Sequence, residues 1–92
     1  MIQRVQIGER ARRDLRKTPS YIVVKLQDWV EGVEEIGLEE VRKIPGFHDE
    51  PCKGDMKGFR SIRLSRGYRA YYRILKGAVE FVSVERVDKH EY

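Results

Sequence analysis

Gly58-Phe-Arg-Ser-Ile-Arg-Leu-Ser-Arg-Gly-Tyr-Arg-Ala-Tyr-Tyr-Arg-Ile-Leu75 is the stretch around which the 92-residue chain is organised. Two segments that interleave apolar residues with arginine flank Ser65-Arg66-Gly67, and in extended backbone this pattern predicts a β-hairpin turning near Gly67. Successive strand residues point to opposite faces, so the two arms are expected to bury Ile62, Leu64, Tyr72 and Ile74. Arginine stands at 60, 63, 66, 69 and 73. One such arginine reads as a solvated charge that keeps a sheet soluble. Several fixed on one rigid sheet form a phosphate-binding surface, because the planar guanidinium matches phosphate oxygens in pairs.

Outward from the hairpin, the apolar alternation of Ile2 to Ile7 predicts a short first strand, and Gly8 to Lys17 a basic helix with Ala11 and Leu15 one turn apart. Thr18-Pro19 reads as an N-cap followed by proline at the first helical position. Ile22, Leu26, Trp29, Val33 and Ile36 then recur at helical spacing, and Gly37 closes that helix. Leu38 to Ile44 suggests a further helical turn, stopped by Pro45. Pro45 to Gly58, with two prolines and three glycines, reads as an irregular loop. Beyond the hairpin, Ala78 to Val87 alternates as another strand. The expected class is α+β in the order β-α-α-β-β-β, with two helices on one face of a small, mainly antiparallel sheet and residues 1–92 as one domain.

Charge is unevenly distributed. Residues 1–50 carry 9 Lys/Arg against 10 Asp/Glu, whereas residues 51–92 carry 10 against 5, with eight basic residues between Lys53 and Lys76. A concentrated basic segment favours a polyanionic partner through counterion release and electrostatic steering. The single cysteine, Cys52, allows no internal disulfide, and no run approaches the ~20 apolar residues of a membrane span, so a soluble cytoplasmic protein is expected. His48-Asp49-Glu50 offers three contiguous donors, a poor chelate with no second cluster to complete it, so neither metal nor cofactor is expected.

The residue types needed to cleave RNA without a metal are a base, a cation for the phosphorane and an acid for the 5′-oxygen, and all are present. Arg63 and Arg69 suit the phosphorane, and His90, with an ordinary pKa of ~6.5, suits proton transfer. Glu91 or Asp88 is a second candidate base, and Tyr92 can stack on an exposed base. Lys53, Lys57, Arg60, Arg66, Arg73 and Lys89 are candidate RNA-backbone contacts. Against this stands the plain reading of Lys-His-Glu-Tyr as a polar tail and of Tyr68, Tyr71 and Tyr72 as sheet packing.

Arg-Ser-Ile-Arg-Leu-Ser-Arg-Gly-Tyr-Arg-Ala-Tyr-Tyr-Arg-Ile, followed by Val-Glu-Phe-Val-Ser-Val and a terminal His-Glu-Tyr, resembles the RelE/ParE superfamily of toxins from type II toxin–antitoxin systems. Gly67-Tyr68-Arg69 is the most specific part of the match, which extends over nearly the whole chain in element order. The resemblance implies an mRNA interferase that acts in the ribosomal A site and is neutralised by a cognate antitoxin. It places the family's hairpin arginine at Arg69, its strand basic residue at Arg63 and its C-terminal aromatic at Tyr92. Glu91 separates His90 from Tyr92, unlike the subgroup in which the histidine directly precedes the tyrosine, and the general base stays open between His90 and Glu91. The superfamily also contains gyrase inhibitors without nuclease chemistry. A catalytically degenerate member that only binds antitoxin or RNA is the third reading.

Overall fold

A computed structural model describes residues 1–89. The chain runs β1 (Val5–Ile7), α1 (Glu9–Arg16), α2 (Ser20–Ile36), α3 (Leu38–Val41), β2 (Glu50–Pro51), β3 (Arg60–Ser65), β4 (Tyr68–Lys76) and β5 (Glu80–Lys89), with 3-10 turns at Pro45–Phe47 and Gly54–Met56. The five strands form one sheet in the order β1-β5-β4-β3-β2. All neighbours are antiparallel except β1, which pairs in parallel with β5 at the edge. The α+β class, the helices against a mainly antiparallel sheet and the hairpin turning between Ser65 and Tyr68 all match the sequence expectation.

The apolar stripe of α2 places Ile22, Leu26, Trp29 and Val33 inside, facing Ile62, Leu64, Ala70, Tyr72, Val82, Val84 and Val87 of the sheet. Trp29 and Tyr72 are its largest members, with ring centroids 5.0 Å apart and planes at 44°. Such tilted pairs contribute about 0.5–1.5 kcal/mol beyond the area they bury. Gly37 ends α2 with φ +88°, a left-handed backbone conformation that favours glycine, while the nearest atoms to a Cβ there belong to the exposed Met1 side chain, which can swing aside. The next amide, Leu38 N–H, donates to Ile2 O at 2.8 Å and fixes the start of the chain beside the end of α2.

Four expectations need correction. Pro45 to Gly58 is not wholly irregular, because β2 adds a fifth strand by pairing Glu50 with Ser61 and Pro51 with Arg60. Ile74, expected inward, is 38% exposed, since β4 runs past the end of β3 and its last β3 partner is Arg60 opposite Tyr72. Thr18 does not cap α2: its hydroxyl donates backwards to Asp14 O at 2.7 Å, and Pro19 occupies the cap position. Finally, β5 contains a bulge between Val84 and Arg86 opposite Tyr71-Tyr72. One extra residue reverses the alternation beyond it. Val82 and Val84 face the core before the bulge and Val87 after it, while Asp14 Oδ2 accepts the Val87 N–H at 3.0 Å and ties α1 to β5.

Candidate functional site

The sheet face away from the helices carries the hairpin's charge. Arg63 and Arg69 stand directly opposite each other on β3 and β4, Asp88 of β5 lies opposite Arg69, and Arg86 lies opposite Tyr71. Arg86 is held from three sides: Nη2 donates to Asp88 Oδ2, Nη1 approaches Met56 Sδ at 3.4 Å, and its guanidinium lies 5.7 Å from the Tyr71 ring centroid. Beside these, a cleft of about 560 Å3 is lined by Glu50, Cys52, Lys53, Met56, Ser61, Arg69 and Tyr71.

Polar satisfaction on this face is incomplete. Arg63 Nε, Arg69 Nη1 and Arg86 Nε are buried and have no hydrogen-bond partner among the described residues. The Arg69 side chain is only 12% exposed, and among the described residues the carboxylate nearest to its Nη1 is Glu50 Oε1 at 3.9 Å, beyond hydrogen-bond distance. Folded chains rarely leave charged donors buried and unpaired, because desolvation without a partner is costly. Three such donors converging on one face mark a place where an anionic ligand can complete the bonding. Glu50 also lies 3.5 Å from His48 Nε2, so one carboxylate faces a histidine and an arginine together.

Local titration keeps the neutral groups of the cleft protonated. Burial pushes the Cys52 thiol up, the Ser61 hydroxyl pulling it the other way. Burial, and then the nearby Asp88 charge, push the Tyr71 phenol up. Neither group is therefore poised as an anion near neutrality.

Of the sequence-predicted residues, Arg63 and Arg69 come together as a cross-strand pair. Lys53 lines the cleft, and Lys57 is exposed just after the Gly54–Met56 turn that borders it. Arg66 is exposed at the hairpin tip, away from the pair, and Lys89 is exposed at the end of β5 opposite Tyr68. Arg73 is engaged by Glu85 at 2.8 Å and lies over Phe59. Arg60 belongs to the helix side of the sheet, where its Nε donates to Asp49 Oδ1 at 2.6 Å. Burial lowers the Arg60 guanidinium, but the Asp49 hydrogen bond and charge outweigh it and the net direction is up. Asp88, a candidate base by sequence, is occupied by Arg86. His90, Glu91 and Tyr92 lie outside the described residues.

Sequence reasoning missed Arg86 and Glu50. Strict alternation from Val82 and Val84 sends residue 86 into the core, and only the bulge at Glu85 brings it to the open face. Glu50 belongs to a two-residue strand, too short to show a period.

No protein-family model and no curated protein matches the chain. Solved structures do. A chain of the toxin–antitoxin complex RelBE2 from Mycobacterium tuberculosis is 25% identical, with a TM-score of 0.69 over 98% of this chain and 100% of that one. The chain has the RelE/ParE-like toxin fold. The same fold is seen in the YoeB/ParE toxin from Agrobacterium tumefaciens, 21% identical over 96% of this chain and 99% of that one with a TM-score of 0.68. YafQ from E. coli is 16% identical but reaches a TM-score of 0.73 over 95% of this chain and 93% of that one. In this RelE/ParE-like frame the arginine pair and the cleft occupy the sheet face that the helices leave uncovered.

Proposed function

We propose that this RelE/ParE-like protein is the toxin of a toxin–antitoxin pair, a metal-independent endoribonuclease that cuts mRNA in the A site of the translating ribosome. The observation that carries the reading is the set of unpartnered guanidinium nitrogens on Arg63, Arg69 and Arg86 beside a carboxylate, Glu50. A scissile phosphate seated on those donors supplies the missing acceptors. Glu50 takes the proton of the 2′-hydroxyl, the 2′-oxygen attacks phosphorus, and the arginines stabilise the added negative charge of the phosphorane. The P–O5′ bond then breaks, the 5′-oxygen takes a proton from solvent water, Glu50 returns its proton to solvent, and a 2′,3′-cyclic phosphate remains. The ribosome supplies the alignment of 2′-oxygen, phosphorus and leaving group that an open sheet face cannot supply alone.

Three of the structures sharing the fold are toxin–antitoxin complexes: RelBE2, DinJ–YafQ and YoeB–YefM. They support a cognate antitoxin for this chain. An acidic segment laid over the open face gives the same arginines their carboxylate partners and blocks RNA. The site of action is the cytoplasm, where translating ribosomes are.

The test is induction of the chain without a partner, with mRNA 5′ ends mapped by primer extension for wild type, Arg69→Ala and a reporter whose translation is blocked. Codon-phased cuts are expected in the wild type and in neither control, with Arg69→Ala lowering the cleavage rate by about 10²–10³-fold. Undiminished cutting by Arg69→Ala overturns the assignment. Growth arrest with intact mRNA overturns the nuclease reading in favour of a gyrase inhibitor.

A further inference from the structure

Asp49 precedes Glu50 and points the opposite way. Its side chain is fully buried on the helix side of the sheet, and both carboxylate oxygens are used: Oδ1 accepts Arg60 Nε at 2.6 Å and Oδ2 accepts the Tyr72 hydroxyl at 2.7 Å. Tyr72 is in turn packed against Trp29, so the far end of this arrangement is anchored in the core. Glu50, one residue on, presents its carboxylate to Arg69 across the open face. The two acidic neighbours thus divide between the two sides of the sheet, as extended backbone requires.

The strand that carries them has little else to hold it. It consists of Glu50 and Pro51, proline donates no ladder bond, and it lies at the sheet edge. Before it, His48 turns the chain in a left-handed conformation at φ +47°. After it, Cys52 N–H donates to Phe59 O at 3.0 Å. Left to its backbone, a two-residue edge strand opens readily. A buried carboxylate gripped by residues of β3 and β4 prevents that.

We infer that Asp49 is a positioning residue: its bonds to Arg60 and Tyr72 latch β2 to the sheet and thereby hold Glu50 against Arg69. The inference rests on the reading of Glu50 as the base, and Asp49 touches no reacting atom. It separates two roles that adjacent acidic residues would otherwise seem to share. Asp49 sets geometry, and Glu50 meets the substrate.

Cys52 is the single cysteine of the chain and follows β2 immediately; partly exposed in the cleft, it reacts with a maleimide dye at a basal rate in the closed strand, and opening of the strand is read as a rise above that rate. In the intact protein, Asp49→Asn is expected to raise the alkylation rate by about tenfold and Tyr72→Phe by about threefold. Leu26→Val, a core truncation on α2 remote from β2, serves as the control for general loosening and is expected to leave the rate at the wild-type value. Equal rates in Asp49→Asn and Leu26→Val overturn the latch. The catalytic half is read from kcat for cleavage of ribosome-bound mRNA. Asp49→Asn lowers kcat with KM unchanged, and this effect disappears in a Glu50→Gln background because Asp49 acts through Glu50. An undiminished effect of Asp49→Asn on top of Glu50→Gln overturns the positioning role. Failure of the wild type to cleave at all overturns the nuclease reading instead, while the alkylation rates still decide whether Asp49 holds β2.

Discussion

Arg60 and Arg69 sit on adjacent strands of one hairpin and end in opposite chemical situations. Arg60, on the helix side, is the more exposed of the two at 24% of its side chain, yet it has a carboxylate at 2.6 Å. Arg69, on the open side, is 12% exposed, and its nearest carboxylate among the described residues stands at 3.9 Å. The more deeply buried arginine is the less satisfied one. On the helix side the described residues leave one orphan, the neutral Trp29 indole N–H; on the open side they leave three guanidinium nitrogens. A fold that supplies Asp49 to Arg60 has the means to supply a carboxylate to Arg69. The contrast separates charge used to hold the molecule together from charge whose donors the described residues leave open, which is the property the proposed RNA-binding role draws on.

The comparison breaks most severely at Asp49. Asp49→Ala leaves Arg60 Nε and the Tyr72 hydroxyl without the carboxylate that accepts from both. Removing one side of a buried hydrogen-bonded charge pair costs several kcal/mol, and because Arg60 is partly exposed the expected loss is about 2–3 kcal/mol. Urea unfolding measures it. A loss below about 0.5 kcal/mol, the range of an ordinary surface substitution, would show that the helix side is not organised around this carboxylate.

The same network gives a pH signature. Burial first, and then the bond to Asp49, hold the Tyr72 phenol above its ordinary value of ~10. The folded state therefore keeps a proton that the unfolded chain releases. The stability tied to that proton is fully present below pH ~10 and is lost as pH rises towards the folded-state value. Tyr72→Phe removes the titrating group while keeping the ring against Trp29. The fall in urea midpoint between pH 8.5 and 10.5 is accordingly expected to be shallower in the phenylalanine variant. Parallel falls in the two proteins would place the alkaline sensitivity elsewhere.

What could be read from the sequence follows the length scale of the interactions. The α2 stripe repeats over 17 residues and the hairpin alternates over both arms, so period alone placed Ile22, Leu26, Trp29, Ile62 and Tyr72 in the core. Ile74 continued the same alternation and failed because strand β4 outruns its neighbour, a fact about β3 that β4 does not encode. Arg86 was hidden by a one-residue bulge that exchanges the faces of the sheet. Asp49 was adjacent to nothing that explains it: its partners lie 11 and 23 residues away, and only the folded sheet brings them together. The arginine pair was legible as a feature of the open face, because Arg63 and Arg69 alternate out of the core, whereas the carboxylate beside them lies in a strand too short to have a pattern.

The smallest expected effect has the opposite sign and gives the finest test of the contrast. Arg63 and Arg69 are like charges directly across an antiparallel pair, an arrangement that opposes folding. Arg63→Gln keeps a polar but shorter side chain, removes the repulsion and replaces the charged, unpartnered Nε by a neutral amide. It is expected to stabilise the protein by about 0.2–1 kcal/mol at low ionic strength, and the gain should shrink as sodium chloride shortens the range of the repulsion. Urea midpoints at about 20 mM and about 500 mM salt, where the Debye length is roughly 20 Å and roughly 4 Å against ~8 Å at physiological ionic strength, bracket the effect. If Arg63→Gln instead destabilises the fold as Asp49→Ala does, the open-face arginines are structural after all. A variant that gains stability while losing cleavage would show Arg63 to be held at a cost to the fold for the sake of its ligand.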